Sequence, residues 1–312
     1  MSSNGTPLIQ ARDLVKRFGD FVAVDAIDFD LQRGEAFGFL GPNGAGKTST
    51  MRMIGCVSPV TDGSLTIFGL DPAREGVKIR GRLGVVPQQD TLDMELTVRE
   101  NIVIYGRYFG LGRKELGKRA DELLDFVELT ERANDKVEPL SGGMKRRLTI
   151  ARSLVNEPEV LLLDEPTTGL DPQARHVVWD RLYRLKRQGV TLLLTTHYMD
   201  EAEQLCDRLV VMDRGKIVAE GSPRGLIEQY STREVVELRF EDGNRPDDLG
   251  YWTEGIVDRV EALPDRVLLY AHDGDAASHQ LHERGLTPES VLVRRSSLED
   301  VFLHLTGRSL IE

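Results

Sequence analysis

The spacing of apolar and polar residues predicts alternating strands and helices over most of the chain. Ile27, Phe29 and Leu31 alternate with Asp28 and Asp30, which is the two-residue period of a strand with one buried face. The run AFGFLG leads into a glycine-rich loop, and the residues TSTMRMIGC continue from that loop as a helix. The apolar runs VLLL and TLLL predict parallel strands that are buried on both faces. The pattern therefore indicates an α/β core.

A helical region interrupts this core from about residue 98 to residue 155. Leu116, Ala120, Leu124 and Val127 recur there at helical spacing among charged neighbours. We expect these residues to form the buried stripe of a helical subdomain.

Further along the chain, the pattern predicts a helix and then a hairpin. The helix runs from Pro172 to Gln188, with proline at its start and Gly189 as its stop signal. The segment RLVVMDRGKIVAEG predicts two strands that turn at Asp213 to Lys216.

The character of the sequence changes near Tyr230, where we place a domain boundary. From about Arg233 onward the segments VVELRF, RVLLYA and VLVRR predict short strands, and two helical pieces accompany them. The last piece, SSLEDVFLHLTG, is predicted to open with a capping box from Ser296 to Glu299. We expect domains at residues 1–230 and 231–312, the second being small and α+β.

Composition excludes some classes of function. Among 312 residues, 40% are hydrophobic and 29% are charged, which is typical of a globular protein. The net charge of -11 argues against broad binding to nucleic acid, so no nucleic-acid partner is expected. The two cysteines, Cys56 and Cys206, have no metal-like spacing and favour a reducing compartment. No apolar run approaches the roughly 18 residues of a membrane span, so a membrane role needs another chain.

The glycine-rich segment GPNGAGKTST fits the phosphate-binding P-loop, which requires a strand before it and a helix after it. Its glycines allow backbone N–H groups to approach phosphate oxygens at the start of the helix. Lys47 is expected to reach the β- and γ-phosphates, and the Thr48 hydroxyl is expected to bind Mg²⁺. The predicted ATP-binding residues of this loop are Gly41, Pro42, Asn43, Gly44, Ala45, Gly46, Lys47, Thr48 and Ser49.

Polar residues follow the buried strands at the edge where open parallel sheets bind ligands. Asp164 ends the strand VLLL and is expected to contact Mg²⁺, whereas Glu165 is placed to orient or deprotonate an attacking water. An acidic pair in this position also serves as a helix N-cap, but the P-loop in the same chain favours the catalytic reading. His197 ends the strand TLLLTTH and is expected to donate a hydrogen bond to the γ-phosphate, although a structural histidine is the alternative.

Two further candidates have ordinary alternatives. Gln88, after the strand RLGVVPQ, is a candidate ligand of Mg²⁺ or water, or else a solvated loop residue. Phe18, before Gly19, is a candidate for stacking on adenine, or else a core aromatic.

A second glycine-rich segment, PLSGGMKRRL, resembles another phosphate loop. Ser141 is expected to cap a helix whose first turn contains Gly142 and Gly143. The basic run Lys145–Arg147 follows, near a helix end where the dipole disfavours cations. An anion that docks at the tip explains this run, and solvation on the outer face is the alternative.

Taken in chain order, these motifs resemble the nucleotide-binding subunits of ABC transporters. The matching segments are RFG, GPNGAGKT, PQ, LSGGM, LLLDEP, GLDP and TTH, over about residues 8–225. The segment GLDP adds Asp171 as the D-loop aspartate. Phe18 replaces the commoner tyrosine and keeps the stacking face, and Met144 replaces the commoner glutamine of the signature.

The resemblance implies an α/β fold of the P-loop NTPase class, with a RecA-like core, a β-subdomain and a helical subdomain. It implies ATP and Mg²⁺ as cofactors and places the signature residues on the ATP of a second copy of the chain. The implied roles are catalytic for Glu165, His197 and Lys47, metal-binding for Thr48, Gln88 and Asp164, and signature for Ser141, Gly142 and Gly143.

The segments LSGGMKRRL, TVRENIVIYGRYFG and SLEDVFLHLTGR are similar to the ABC-2 branch, which includes daunorubicin-resistance and nodulation-factor export ATPases. This similarity implies two ATPase subunits with two separately encoded transmembrane permeases, at the cytoplasmic face of the membrane. Drugs or other amphipathic compounds are the expected cargo. The alternatives are export of a lipid or glycan, and a non-transport ABC ATPase of DNA repair or the ribosome. A regulator without hydrolysis is disfavoured because the acidic pair and the histidine are both present.

Overall fold

The computed structural model describes residues 6–241, 245–246 and 248–307, which form two compact units. The first unit ends at Gly221 and the second begins at Ser222. The strands of the first unit are β1 (Ile9–Phe18), β2 (Phe21–Leu31), β3 (Ala36–Leu40), β4 (Asp62–Ile67), β5 (Leu83–Val86), β6 (Val160–Asp164), β7 (Thr191–Thr196), β8 (Arg208–Asp213) and β9 (Lys216–Gly221). Its helices are α1 (Lys47–Ile54), α2 (Pro72–Arg80), α3 (Val98–Arg107), α4 (Arg113–Phe126), α5 (Gly142–Ser153), α6 (Pro172–Arg187) and α7 (Met199–Leu205), with a 3-10 turn at Thr130–Arg132.

A six-stranded sheet in the order β5-β6-β7-β3-β8-β9 forms the centre of the first unit. Strands β5, β6, β7, β3 and β8 are parallel, and β9 pairs antiparallel with β8 through the predicted hairpin. Every residue of β7 and the apolar residues of β6 are buried, as their unbroken apolar runs predict. The parallel strands bring the loops after β3, β5, β6 and β7 to one edge of the sheet.

A smaller antiparallel sheet, in the order β2-β1-β4, packs into the same core. Ile27, Phe29 and Leu31 are buried, whereas Asp28 is exposed and Asp30 is partly exposed. The two-residue alternation therefore predicts this strand and its buried face correctly.

Helices α3, α4 and α5 occupy the region that was predicted to be helical. Leu116, Ala120, Leu124 and Val127 are all buried, and the first three lie on α4. Thr97 caps α3 and forms a capping box with Glu100. In the next helix, α6, Asp171 is the N-cap and Gly189 follows the end in a left-handed conformation.

The second unit is an α+β fold, as predicted. Its elements are α8 (Pro223–Tyr230), β10 (Glu234–Arg239), α9 (Leu249–Thr253), β11 (Arg259–Ala262), β12 (Val267–Ala271), α10 (Gly274–Glu283), β13 (Ser290–Arg295) and α11 (Leu298–Thr306). The strands form an antiparallel sheet in the order β11-β12-β10-β13. One face packs with α10, and the other packs with Leu303 of α11.

Two details of this unit differ from the sequence prediction. The boundary lies before α8 and not near Tyr230, because α8 buries Leu226 and packs against α11. The capping box of α11 joins Ser297 with Asp300 and not Ser296 with Glu299. Asp300 is fully buried and accepts a hydrogen bond of 2.8 Å from the Ser297 backbone N–H.

Strand β11 and the short helix α9 are absent from the sequence prediction. Helix α9 has five residues and β11 has four, so neither is long enough to establish a clear period. Among all the helices in the described part of the chain, none has the length and apolar character needed to cross a membrane.

Candidate nucleotide-binding and catalytic site

The first glycine loop connects β3 to α1, in the strand–loop–helix context that a P-loop requires. Gly46 is the N-cap of α1, with φ of 103°, a conformation that a residue with a side chain rarely adopts. A Cβ atom at Gly41 would lie 2.3 Å from the Met212 carbonyl oxygen. Backbone packing therefore requires glycine at both positions, and the first turn, KTST, contains no acidic side chain that competes with an anion.

Lys47 is buried at the start of α1, with 3% of its surface exposed. Its Nζ donates to the carbonyl oxygens of Gly41 at 2.7 Å and Pro42 at 3.0 Å, and lies 3.6 Å from Glu165 Oε1. Burial lowers the pKa of Lys47 and the neighbouring carboxylate opposes that shift. The Lys47 ammonium is thus hydrogen-bonded to carbonyl oxygens of the P-loop, the same loop that is expected to bind phosphate.

Glu165 follows β6 in a left-handed conformation, with φ of 47°, which is strained for a residue other than glycine. Its backbone N–H donates to the carbonyl and hydroxyl oxygens of Thr195. Its carboxylate is 5% exposed and accepts hydrogen bonds from Gln88 Nε2 at 3.0 Å and Thr168 Oγ1 at 3.1 Å. The turn aims the carboxylate into the edge of the sheet beside the P-loop.

The electrostatic surroundings of Glu165 favour its ionised form. The His197 imidazole lies 3.4 Å from Glu165 Oε1, and Lys47 and Thr168 add to its effect. Together they overcome desolvation and lower the pKa of Glu165 to about 2. The carboxylate is therefore an acceptor to which an attacking water can donate a hydrogen bond.

Asp164 and Thr48 supply the oxygen ligands that Mg²⁺ prefers. Thr48 Oγ1 donates to Asp164 Oδ1 at 3.3 Å, and Thr195 Oγ1 donates to the same oxygen at 2.6 Å. Within the described ranges, no cluster of three or more His, Cys, Asp or Glu residues is arranged to hold a metal. The two side chains therefore fit an ion that is also bound by phosphate and water. Gln88 contacts Glu165 instead of this pair, so its role as a metal ligand stays a prediction.

Phe18 lies at the end of β1 and is 52% exposed, which contradicts the alternative that it is a core aromatic. The ammonium of Lys16 lies 4.9 Å from the ring centroid. The exposed ring remains a candidate for stacking on adenine.

The second glycine loop caps α5. The Ser141 hydroxyl accepts a hydrogen bond from the Met144 backbone N–H at 3.3 Å, as an N-cap does. Ser141 and Gly142 are exposed, and a Cβ atom at Gly143 would lie 2.9 Å from the Ala174 Cβ atom on α6. The signature loop thus lies beside the first turn of α6, which Asp171 caps. At the P-loop, the structure brings together six of the predicted site residues, Lys47, Thr48, Gln88, Asp164, Glu165 and His197.

The expectation that the basic run crowds an anion at the tip of α5 is wrong for two of its residues. Arg146 donates to the Pro166 carbonyl at 2.6 Å, and Arg147 donates to the Val127 carbonyl at 2.6 Å. Neither is a freely solvated outer residue, since both are largely buried. At four and five residues beyond Gly142 they lie more than one turn into the helix, where its sides pack against other loops.

Two family models match the chain. The model described as "ABC transporter" matches residues 24–168, and the model of the C-terminal domain of the nodulation factor export protein NodI matches residues 249–307. The Nod factor export ATP-binding protein I of Sinorhizobium fredii is 45% identical over 97% of this chain and 87% of its own length. The protein of the same name from Cupriavidus metallidurans is 44% identical over 98% of this chain and 99% of its own.

The chain is an ATP-binding subunit of the ABC transporter family.

Solved structures of ABC cassettes agree with this assignment. An ATP-binding subunit of an ABC transporter superposes with a TM-score of 0.65 at 30% identity, covering 72% of this chain and 93% of that one. A cassette dimer in a post-hydrolysis state, bound to ADP and Pi, superposes with a TM-score of 0.63 at 29% identity, covering 69% and 98%. The predicted P-loop ABC ATPase fold and ATPase activity are confirmed, whereas drug export is not supported, since these relatives are named for Nod factor export.

Sequence reasoning missed two residues of this ABC cassette site and misassigned a third. Thr168 and Thr195 hold the carboxylate and the backbone of Glu165, and Arg146 holds the loops around it. The two threonines stand within the segments PTTG and LTTH, so their nearness to the acidic pair and the histidine was a usable signal. Arg146 offered no such signal, because its partners are carbonyl groups.

Proposed function

We propose that this ATPase works as a dimer that powers export through separately encoded transmembrane subunits. The observation that carries its ATPase part is the buried Glu165 carboxylate, held among Lys47, Gln88 and His197 at the ligand-binding edge of the sheet. Its export part rests on the similarity to Nod factor export ATP-binding proteins. A complex of two ATPases and two permeases, with the ATPases peripheral at the cytoplasmic face, is the arrangement we propose.

ATP binding uses the P-loop and exchanges partners of Lys47. The ammonium leaves the carbonyl oxygens of Gly41 and Pro42 and binds the β- and γ-phosphate oxygens, which form stronger, charge-assisted hydrogen bonds. Thr48 and Asp164 would hold Mg²⁺, which would neutralise charge on the phosphates. Phe18 stacks on the adenine with its exposed face.

Hydrolysis depends on groups that Glu165 already contacts. Its carboxylate accepts a hydrogen bond from the attacking water and orients it toward the γ-phosphorus. His197 donates to the γ-phosphate, and Lys47 stabilises the charge that develops on the transferred group. A change at this site also affects Gln88, because its amide donates a hydrogen bond directly to Glu165.

The signature loop of one subunit contacts the nucleotide that is bound by the P-loop of the other subunit. Ser141 and Gly142 are exposed, and the arginines behind them are drawn away from the tip. The loop therefore offers a hydroxyl and backbone N–H groups, which complete a site whose cationic side is supplied by another P-loop. A solved cassette relative is described as a dimer bound to ADP and Pi, which supports this arrangement.

Mixing two inactive variants tests the shared site. Lys47→Ala disables the P-loop and Ser141→Arg disables the signature, so each homodimer should be inactive. In the mixed dimer one nucleotide site combines both mutations and the other has neither, so random pairing should restore roughly a quarter of the sites. Mixtures that stay inactive, although exchange of labelled subunits is observed, would exclude the shared site.

We propose a lipid or glycan compound as cargo, because the relatives at about 45% identity are named for Nod factor export. Inside-out membrane vesicles that contain the chain and its copurifying membrane subunit should accumulate labelled Nod factor when ATP is supplied. Vesicles with Glu165→Gln serve as the control for ATP dependence. Accumulation of daunorubicin instead would restore the drug hypothesis, and failure of any membrane subunit to copurify would favour a non-transport role.

A further inference from the structure

Arg146 is a buried arginine outside the motifs that define the ATP site. It lies on α5, with 4% of its surface exposed, five residues after the Ser141 cap. Its guanidinium donates to four carbonyl oxygens, those of Pro166 at 2.6 Å, Pro87 at 2.5 Å, Glu165 at 3.0 Å and Asp164 at 3.1 Å. Asp90 Oδ1 lies 3.8 Å from the same group.

These carbonyl groups belong to two loops that carry catalytic side chains. Pro87 directly precedes Gln88, and Asp164 to Pro166 form the turn of Glu165. One planar group therefore fixes the backbone on both sides of the hydrogen bond from Gln88 Nε2 to the Glu165 carboxylate. Guanidinium has five N–H donors in a rigid fork, which a lysine ammonium cannot reproduce.

The turn that Arg146 holds is strained. Glu165 has a left-handed backbone with φ of 47°, and such a conformation persists only where its surroundings determine it. Thr195 binds the Glu165 N–H from one side, and Arg146 binds the Glu165 carbonyl from the other. The direction of the carboxylate thus depends on both residues.

The same face of α5 continues the attachment to the Gln88 loop. The Thr149 hydroxyl lies 3.3 Å from Asp90 Oδ1, and Arg152 donates to the Thr91 carbonyl at 2.7 Å. Because these side chains recur every three residues, they line one side of the helix. The helix that begins at the signature Ser141 is therefore bonded along its length to the loop of Gln88.

We propose that Arg146 is a positioning residue for ATP hydrolysis, which locks the Glu165 turn and the Gln88 loop to the signature helix. The inference rests on the role of Glu165 given under the proposed function. Its consequence is that nucleotide contact at Ser141 adjusts the Glu165 carboxylate of the same chain. Loss of Arg146 leaves the P-loop contacts of Lys47 in place and misaligns the water.

The first test compares Arg146→Gln with Arg147→Gln, a matched change one residue further on that removes a bond to Val127 outside the site. Steady-state ATPase assays should show a kcat reduced by about 100-fold for Arg146→Gln, with KM and MANT-ATP affinity within about threefold of wild type. Arg147→Gln should keep kcat within about threefold. The proposal would be overturned if both variants lost the same factor in kcat, or if Arg146→Gln raised KM and left kcat unchanged.

The second test is a double-mutant cycle with Glu165→Gln, followed by single-turnover hydrolysis of radiolabelled ATP. Because Arg146 acts through Glu165, the double variant should hydrolyse ATP at the rate of Glu165→Gln alone. A further loss of the same size as in the wild-type background would overturn the proposal. Undiminished hydrolysis by Glu165→Gln itself would refute the proposed role of Glu165 instead, so the two failures are distinguishable.

If thermal unfolding shows that Arg146→Gln does not fold, Arg146→Lys, which keeps the buried charge, replaces it in the assays. Lysine reaches fewer of the four carbonyls, so kcat should fall by about tenfold, again with unchanged nucleotide affinity. Full activity in a folded Arg146→Lys would show that the fork geometry is irrelevant and would overturn the proposal.

Discussion

The two glycine loops of this chain begin helices in similar ways and differ in the charges around them. The loop before α1 lies against Lys47 and beside the Glu165 carboxylate, so charged side chains are built into it. The loop before α5 presents the Ser141 hydroxyl and backbone N–H groups, while Arg146 and Arg147 turn away to carbonyl groups. The buried ammonium of Lys47 therefore makes the first loop the better match for the charge of a triphosphate.

This difference explains why one chain carries both loops. A hydroxyl and a helix N-terminus stabilise an anion by a fraction of what a buried ammonium and a metal ion supply. The second loop is thus suited to complete a site that already holds a nucleotide and unsuited to hold one alone. Substitutions in the two loops, and at Glu165 beside the first, test whether this difference in role holds.

The largest effect is expected for Lys47→Ala. The change removes the ammonium of the first loop, and we expect kcat/KM for ATP to fall by about 1000-fold or more. MANT-ATP titration should show weakened binding as well as lost hydrolysis. A Lys47→Ala protein that binds ATP as tightly as wild type would place the cationic partner of the phosphates elsewhere.

Glu165→Gln should lose hydrolysis by about 1000-fold while it retains ATP binding and dimer closure. The amide keeps the size of the side chain but lacks the charge that orients the water. Radiolabelled ATP turnover and size-exclusion chromatography with ATP measure the two properties. Glu157→Gln, a change of an exposed glutamate outside the site, is the control and should have no effect. Undiminished turnover in Glu165→Gln would remove that residue from the reaction.

Ser141→Ala should have a smaller effect that differs in kind from that of Lys47→Ala. We expect hydrolysis to fall by about tenfold at high protein concentration, since one donor of the shared site is lost. MANT-ATP binding to dilute protein should stay unchanged, and loss of the N-cap should reduce stability by about 1 kcal/mol. Weakened ATP binding at high dilution would indicate that the second loop binds the nucleotide of its own chain.

The smallest effect concerns a buried carboxyl group that lies outside both loops. Glu201 on α7 is fully buried and accepts hydrogen bonds from Thr167 at 2.7 Å and Trp179 at 3.0 Å. Burial raises the pKa of Glu201, opposite to the lowered pKa of Glu165. Stability from a raised carboxyl pKa is full below the unfolded value of about 4.3 and is lost as pH rises through the folded value.

Glu201→Gln keeps both acceptor contacts and cannot ionise. Its free energy of unfolding relative to wild type should therefore increase as pH rises from about 4 to 8. Urea unfolding at several pH values measures the difference. A difference that stays constant over this range would show that Glu201 does not change its protonation on folding.

The sequence predicts those parts of the molecule that depend on near neighbours along the chain. The P-loop, the acidic pair after β6 and the histidine after β7 each follow a buried strand, so parallel pairing alone brings them to one edge. The partners of Arg146 escape prediction because they are carbonyl groups 18 to 59 residues away. Adjacent serines at Ser296 and Ser297 fit a helix cap equally well, and only the burial of Asp300 decides between them.

The bonds that Lys47 makes to the carbonyl oxygens of its own loop act as an internal competitor for the nucleotide. Every arriving ATP must displace them, so measured affinity is a difference between two sets of contacts. The same bonds re-form when product departs, so they lower the affinity of the site for product as well as for ATP. The nucleotide concentration that half-fills the site therefore reflects the empty loop as much as the filled one.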